Sequence, residues 1–442
     1  MTVPAPTFAQ AIRQWTRIGL LSFGGPAAQI ALMHRVLVEE KRWLDEPRFL
    51  SALNFCMLLP GPEAMQLATY AGWRLHGLAG GLAAGLLFVV PGALVMLALT
   101  ILYALYGAVP LVTAIFVGIK AAVLAIVVEA LLRVARKALK GSRDWAIAAA
   151  AFIGIFALGV PFPIIVVAAG LAGYLGARLM DAQAMPQSTV AVAAATARAP
   201  TLGGTLGTAL AWLAVWWLPI GALALVLGPQ HVLVEIGWFF SKLAVVTFGG
   251  AYAVLAYMAQ EVVSAYRWLS PGEMLDALGL AETTPGPLIL VTEFVGGLAA
   301  GRDGGGLSLG MLAAGALVTL WVTFVPCFLW IFVGAPYVER INDAPRLRSA
   351  LRGVTAAVVG VILNLSVWFA IHVLFARVAS WKLGWLALPL PELASLVPLA
   401  AVLTVVAMVL IFVLHRGVAT TLAICAGLAW LASWAGLSGG VA

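Results

Sequence analysis

Long apolar stretches, separated by short polar or basic segments, run along almost the whole chain. A helix that spans a bilayer needs about 20 consecutive apolar residues. Stretches of this kind predict membrane-spanning helices in both halves of the chain, and one further span between the halves. The predicted spans are 78–106, 110–132, 145–160, 162–179, 203–228, 308–334, 350–376, 391–414 and 417–437.

Two apolar segments near the start of each half are interrupted by glycine and proline, and the interruptions repeat. Ser22-Phe23-Gly24-Gly25 returns as Thr247-Phe248-Gly249-Gly250, and Pro60-Gly61-Pro62 returns as Pro285-Gly286-Pro287. Both matches have the same offset of 225 residues. A long internal repeat with glycine and proline at fixed places in an apolar chain is typical of secondary transporters.

The repeat continues through most of both halves. Arg42-Trp43-Leu44 matches Arg267-Trp268-Leu269, and further on Val90-Pro91 matches Val325-Pro326 at an offset of 235. We therefore predict a first repeat over residues 1–180 and a second, inverted repeat over 231–442. Residues 181–230 are predicted to form a cytoplasmic linker, from 181 to 200, followed by a connecting transmembrane helix.

Composition and charge distribution agree with this interpretation. Hydrophobic residues make up 63% of the 442 positions and charged residues 10%, against roughly 25% charged residues in soluble domains. The net charge of +7 comes from basic residues between the spans, so we expect no nucleic-acid partner. The loop 133–143 is strongly basic while its counterpart 368–378 is not, and 338–352 is basic while its counterpart 103–117 is uncharged.

Because basic loops favour the cytoplasmic side, this alternation predicts that the two repeats have opposite orientations. The fold class is then an all-α polytopic membrane protein with two inverted-topology repeats, broken or re-entrant helices and an extra connecting helix. We expect it in the cytoplasmic (inner) membrane, with its N-terminus inside and its C-terminus outside. Segments 8–33 and 49–75 are either re-entrant hairpins, which the basic residues between them favour, or full spans.

The broken helices are candidates for an anion site, because a helix N-terminus offers free N–H donors and a partial positive charge. Hydroxyl and basic side chains occur at matching places in both repeats. The alternatives are that glycine and proline only allow tight helix packing, and that the basic residues reach the membrane interface. The candidate substrate-binding residues are Arg17, Ser22, Gly24, Gly25, Gln29, Gly61, Glu63, Gln66, Lys242, Thr247, Gly249, Gly250, Glu282, Thr284 and Gly286.

Acidic residues near the breaks suggest proton coupling, because a carboxylate in a low-dielectric site can hold a proton near neutral pH. Glu63 and Glu282 are the candidates, with helix capping and solvation as the alternatives. Lys120 and Glu129, on one predicted span, either have a functional role or are structural, paired with each other or with a neighbouring helix. No metal-ligand spacing, nucleotide motif or nucleophile constellation is present in the sequence, so we expect no enzyme, metal or cofactor.

In the repeated motifs, Phe23 to Pro26, Arg42-Trp43-Leu44 and Pro60-Gly61-Pro62, the chain resembles the CHR family of chromate transporters, in its long-chain, two-domain form. The resemblance implies efflux of chromate by alternating access, driven by the membrane potential or a proton gradient, with chromate resistance as the result and sulfate as the expected competitor. The residues alone also allow a sulfate or other oxyanion importer, or an anion channel, of the same architecture. The tryptophan-rich connecting span suggests a homodimer contact within the lipid bilayer.

Overall fold

The computed structural model describes residues 6–180, 201–248, 251–338, 345–383 and 386–436, and these residues are almost entirely helical. The α-helices, numbered along the chain, are α1 Phe8–Leu21, α2 Gly25–His34, α3 Glu46–Leu58, α4 Glu63–Tyr106, α5 Pro110–Ala138, α6 Ser142–Phe156, α7 Phe162–Met180, α8 Leu202–Leu227, α9 Val232–Val246, α10 Ala251–Gln260, α11 Pro271–Thr283, α12 Val291–Gly301, α13 Leu309–Gly334, α14 Pro345–Leu374, α15 Pro398–Met408 and α16 Val418–Trp434.

Shorter elements extend or join these helices. The prediction of an all-α fold is confirmed, with one small β-hairpin as an addition. The π-helical turns are Arg35–Glu40, Glu261–Ala265 and Val409–Val413, the 3-10 turns are Leu288–Leu290, Ala335–Tyr337 and Leu393–Ser395, and the strands are β1 Val378–Leu383 and β2 Leu386–Pro391.

Five helices are long and apolar enough to cross a membrane, and they confirm five of the predicted spans. They are Glu63–Tyr106, Pro110–Ala138, Leu202–Leu227, Leu309–Tyr337 and Arg346–Leu374. The protein is therefore a multi-pass membrane protein.

The other predicted spans are helical but shorter. Helices α6, α7 and α16 have 15, 19 and 17 residues, which is about 22 to 28 Å at the usual helical rise. The predicted span 391–414 starts too early, because β1 pairs antiparallel with β2 as far as Pro391 and α15 begins only at Pro398. Pro389 and Pro391 explain the error, since proline disrupts a helix interior and is tolerated in an edge strand.

Helix α4 is sharply bent at its non-helical residues His76 and Gly77, and its two arms pack against each other. Gly72 of the first arm lies against the backbone of Gly80 in the second arm. The second repeat has the same arrangement, since Gly315 of α13 lies against the backbone of Gly296 in α12. Gly80 and Gly315 are counterparts at the offset of 235, so matching glycines close a helical hairpin in both repeats.

The chain forms two compact units, and each takes segments from both halves of the sequence. Unit 1 comprises Met1–Leu97, Tyr174–Ala251 and Thr284–Leu351, and unit 2 comprises Ala98–Gly173, Tyr252–Thr283 and Arg352–Ala442. The repeat boundaries at residues 180 and 230 stay a prediction. The linker predicted at 181–200 lies outside the described residues.

Unit 2 shows a reciprocal pair of close helix contacts. Gly118 of α5 lies against the carbonyl oxygen of Cys425 in α16, and Gly353 of α14 lies against the carbonyl oxygen of Ala169 in α7. Gly118 and Gly353 are counterparts in the sequence repeat. Each repeat thus supplies a glycine that lets a helix of the other repeat approach closely.

The repeated Arg-Trp-Leu motif ends a helix in the same way in both repeats. Arg42 and Arg267 have positive φ angles of 54° and 55°, which are uncommon for residues other than glycine. The next residue closes a wide turn in each case, with Trp43 N–H donating to Leu37 O at 2.8 Å and Trp268 N–H donating to Val262 O at 2.9 Å. The motif therefore has a structural role as a helix stop after the π-helical turn.

Candidate anion site at the helix breaks

The first break separates α1 from α2 through two glycines in the left-handed region. Gly24 and Gly25 have φ angles of 83° and 77°, which a side chain at either position would strain. Pro26 then lies in the first turn of α2, where its missing N–H is tolerated. No side chain caps α2, and Gly24 and Ala27 at its start are exposed. Its first-turn N–H groups are therefore available to a ligand.

The second kind of break is the Pro-Gly-Pro turn, and it has similar backbone geometry in both repeats. Gly61 follows α3 with a φ angle of 121°, and Gly286 follows α11 with a φ angle of 87°. Helix α4 resumes directly after the first turn at Glu63, whereas α12 resumes only after the 3-10 turn Leu288–Leu290.

Two backbone hydrogen bonds join the breaks of one repeat to those of the other. Gly61 N–H donates to Thr247 O at 2.8 Å, and Gly286 N–H donates to Ser22 O at 2.7 Å. In the sequence repeat, Gly61 is the counterpart of Gly286 and Ser22 is the counterpart of Thr247. The two bonds are therefore equivalent, and they bring both kinds of break together within unit 1.

The packing around the Pro-Gly-Pro turns is reciprocal as well. Gly61 lies beside the Cys327 thiol of α13, where an added Cβ would come within 2.9 Å of Sγ. Gly92 of α4, the counterpart of Cys327 at the offset of 235, lies against the carbonyl oxygen of Pro285. The long helix of each repeat thus packs on the break of the other.

These long helices run antiparallel. Gly81 of α4 lies against the Phe332 ring, and Gly85, one turn further, lies against the Phe328 ring, one turn earlier in α13. Counterpart helices with opposite directions are what an inverted repeat requires. The inverted topology stays a prediction, which this arrangement supports.

The predicted hydroxyl ligands are buried at the ends of α1 and α9, where each donates to its own helix. Ser22 Oγ donates to Ile18 O at 2.6 Å, and Thr247 Oγ1 donates to Leu243 O at 2.7 Å. A bound anion would receive these protons only after the hydroxyl groups rotate. Thr284, next to the second Pro-Gly-Pro turn, is also buried.

Two buried glutamines of the first repeat bind carbonyl groups at the breaks. Gln29 Nε2 donates to Gly286 O at 2.6 Å, and Gln66 Nε2 donates to Pro60 O at 2.7 Å. The Oε1 atom of Gln66 is buried and has no hydrogen-bond partner within the described chain. The second repeat has Val254 and Val291 at the corresponding positions, so only the first repeat supplies glutamine side chains here.

The predicted basic ligands lie on exposed helix faces before the breaks. Arg17 Nη1 is 3.4 Å from Glu40 Oε2, and Lys242 is exposed on α9. Arg17 and Glu40 are 23 residues apart, which a straight helix would separate by about 35 Å. Their contact therefore favours the hairpin interpretation of 8–33, in which the chain turns back at the break.

The predicted acids fall in different places. Glu63 is the first residue of α4 and is half-buried. Glu282 belongs to unit 2, where its Oε1 accepts a hydrogen bond of 2.7 Å from the Tyr252 hydroxyl. All other candidate residues that the structure describes lie in unit 1, and Gly249 and Gly250 lie outside the described residues.

Lys120 and Glu129 have different partners. Lys120 Nζ is 3.1 Å from Asp276 Oδ1, and the Tyr103 hydroxyl donates to the same carboxylate at 2.8 Å. Glu129 forms an ion pair with Arg133 one turn along α5. The alternative of contact with a neighbouring helix is thus correct for Lys120, and Asp276 is a partner that the sequence analysis missed.

Cys327 lies at the breaks but was not among the predicted site residues. Its signal in the sequence is that the second repeat has a cysteine where the first repeat has a glycine. It is the counterpart of Gly92, one helical turn after Thr323, whose buried hydroxyl has no partner in the described structure.

Among the described residues, no group of three or more His, Cys, Asp or Glu side chains is arranged to hold a metal ion.

Comparison with known proteins identifies the family to which this chain belongs. The family model described as chromate transporter matches residues 9–174 and 234–432, and the second match begins 225 residues after the first. The chain belongs to the chromate transporter family. The matched segments cover most of the chain and contain all four breaks.

Curated relatives have similar length and moderate identity. The chromate transport protein of Pseudomonas aeruginosa is 34% identical over 81% of this chain and 80% of its own length. That of Cupriavidus metallidurans is 31% identical over 82% of each chain, and the probable chromate transport protein of Synechococcus elongatus is 29% identical over 90% of this chain and 96% of its own. No solved structure matches the chain.

Proposed function

We propose that this protein exports chromate across the cytoplasmic membrane by alternating access and thereby confers chromate resistance. Membership of the chromate transporter family supports chromate as the substrate. The observation that carries the proposal is the pair of equivalent hydrogen bonds between Gly61 and Thr247 and between Gly286 and Ser22. These two bonds bring the interrupted backbone of both repeats together, as in transporters that bind substrate at broken helices.

The proposed site begins at the N-terminus of α2. Its first-turn N–H groups are uncapped, and exposed interrupted backbone inside a membrane persists only where it lines a wet cavity. Gln29, one turn into α2, and the hydroxyl groups of Ser22 and Thr247 complete the set of nearby donors. Because desolvating a dianion is costly, several donors and a positive charge must converge on it; we assign that charge to Arg17 or Lys242.

We propose outward transport because the membrane potential favours it. A membrane that is negative inside drives anions outward by about 2.3 kcal/mol per charge per 100 mV, so a dianion gains twice that amount on leaving the cell. We assign the N-terminus to the cytoplasm and the C-terminus to the outside. Sulfate, which has the same shape and charge, is the proposed competitor.

Chromate accumulation in everted membrane vesicles tests this proposal. Vesicles that contain the protein are energised by an imposed potential or an imposed proton gradient, with and without sulfate. We expect energised chromate accumulation that sulfate inhibits, and none in vesicles without the protein. Accumulation of sulfate or another oxyanion without chromate would overturn the assigned substrate, and flux that only equilibrates chromate at fixed potential would indicate a channel.

A further inference from the structure

Glu293 is an acidic residue in the first turn of α12, a helix whose only other polar side chain is that of Thr292. Its side chain is 1% exposed, and every residue from Val291 to Gly301 is buried. It is the only charged residue in α12. Charged residues inside membrane proteins are costly and usually functional, yet neither the helix breaks nor the anion site described above uses Glu293.

One carboxylate oxygen of this side chain lacks a hydrogen-bond partner in the part of the chain that the structure describes. The Oε2 atom of Glu293 has no hydrogen-bond partner, and no described lysine, arginine or histidine forms an ion pair with it. Its carboxyl group therefore differs from that of Asp276, which has Lys120 and Tyr103 as partners.

Helices α13 and α9 pack against α12, and so does the 3-10 turn Leu288–Leu290, which has no charged residue. Helix α13 has no Asp, Glu, Lys, Arg or His, and its only thiol is Cys327. Helix α9 has two charged residues, of which Glu235 is half-buried and Lys242 is exposed. Among the ion pairs that the structure describes, none joins Glu293 to either helix.

An ionised carboxylate buried without a counter-charge or hydrogen bonds is strongly disfavoured, whereas the protonated acid is tolerated. We propose that Glu293 is a proton-binding site that is occupied in this conformation and that couples proton entry to chromate exit. Proton release then requires a second conformation in which α12 exposes this carboxyl group to water. This inference rests on the proposed transport function and adds its coupling ion.

The first repeat supports the assignment by contrast. The counterpart of Glu293 is Ala68, and the counterpart of Glu63 is Leu288. Glu63 is half-buried at the N-terminus of α4, where free N–H groups stabilise an anion. Each repeat thus has one acid in the first turn of the helix that follows its Pro-Gly-Pro turn, and of these two acids only Glu293 is fully buried.

Infrared spectroscopy of the purified protein in lipid tests occupancy of the site without requiring transport. A protonated carboxylic acid has a C=O stretch that is separate from the amide bands and shifts in D2O. We expect such a band at neutral pH, with a component that is lost in Glu293→Gln and kept in Glu392→Gln, an exposed acid beside Arg377 in the β-hairpin region. An unchanged spectrum in Glu293→Gln would overturn the proposal.

Flux measurements in proteoliposomes test coupling. We expect proton-gradient-driven chromate accumulation to fall by about tenfold or more in Glu293→Gln, while chromate exchange without a gradient continues, because glutamine mimics the neutral acid. Glu392→Gln should behave as the unmodified protein. Full proton-driven accumulation in Glu293→Gln would overturn the inference. If the unmodified protein moves no chromate, the proposed function fails, and the infrared comparison alone still decides whether Glu293 binds a proton.

Discussion

The two repeats have similar backbone geometry at their breaks but different side chains around them. Gly61 and Gly286 both have positive φ angles, and both donate to the carbonyl group that ends a broken helix of the other repeat. Around this shared framework the first repeat supplies Gln29 and Gln66, where the second has valine.

This difference indicates that repeated backbone contacts maintain the architecture, while unrepeated side chains determine the chemistry of the site. The backbone contacts occur in equivalent pairs, so they maintain the twofold arrangement, and glycine is needed in both repeats. The side chains occur once, so the two breaks do not form equivalent binding sites. Glu293 after one break and Glu63 after the other extend the same asymmetry to the acidic residues.

The largest expected effect concerns the glycine contacts of unit 2. Gly118→Leu and Gly353→Leu each force a side chain against a backbone carbonyl group of a neighbouring helix, and backbone cannot move aside cheaply. We expect little folded protein from either variant by fluorescence-detected size exclusion. Gly207→Leu, in an open position of α8, is the control. Normal yield from one variant and none from the other would break the equivalence of the two contacts.

The next largest effect concerns the Pro-Gly-Pro turns. Gly61→Ala and Gly286→Ala place a Cβ atom on backbone with φ angles of 121° and 87°, at a cost of roughly 1–2 kcal/mol or more. We expect each to lower energised chromate accumulation in everted vesicles at least about tenfold, with near-normal amounts in the membrane. Full transport in either variant would show that its break is not part of the transport pathway.

A smaller effect distinguishes the two repeats. Gln29→Val copies the second repeat and leaves the buried Gly286 carbonyl group without its side-chain donor, which costs about 1–3 kcal/mol. We expect chromate transport to fall several-fold in the vesicle assay. Gln260→Val, an exposed glutamine at the end of α10, is the matched control and should transport normally. Equal rates in both variants would remove Gln29 from the site.

The smallest effect concerns an ion pair in unit 2, between Asp144 and Arg352. Asp144 at the start of α6 accepts hydrogen bonds from Arg352 at 2.7 and 3.1 Å, and this guanidinium group holds the pKa of the Asp144 carboxyl group below its usual value. The stabilisation is complete above the usual aspartate pKa and is lost as pH falls through the lowered value.

Thermal unfolding in detergent at a series of pH values measures this contribution. We expect Asp144→Asn to lower the melting temperature by a few degrees at neutral pH and to reduce the loss of stability between neutral and strongly acid pH. A melting temperature with the same pH dependence in Asp144→Asn and the unmodified protein would contradict the assignment. Asp45→Asn, an exposed acid at the start of α3, is the control.

Much of this fold was predictable because apolar length and repeated motifs are local signals. Long spans such as Pro110–Ala138 and Leu202–Leu227 follow directly from hydropathy, and the breaks follow from Gly24-Gly25 and Pro60-Gly61-Pro62. The β-hairpin before α15 was missed because it lies almost entirely between the predicted spans 350–376 and 391–414, where apolar length gives no signal for short strands.

The composition of the site was harder to predict, because it depends on contacts between distant segments. The sequence indicated Gln29 as a residue near a break, but not its bond to Gly286, 257 residues away. The sequence indicated Lys120 as a charged residue within a span, but it did not indicate that Asp276 is its partner. Glu293 follows the second break in the sequence as Glu63 follows the first, but its burial depends on helix packing that the sequence alone does not define.

In the proposed mechanism, interrupted backbone from both repeats meets to hold a tetrahedral oxyanion. A cryo-electron microscopy map of the protein in a lipid nanodisc with tungstate, a heavier oxyanion of the same shape, tests it most directly. We predict Gly61 bonded to Thr247 and Gly286 bonded to Ser22, with anion density at the N-terminus of α2 beside Gln29. Breaks that are separated from each other, or anion density away from them, would contradict the account.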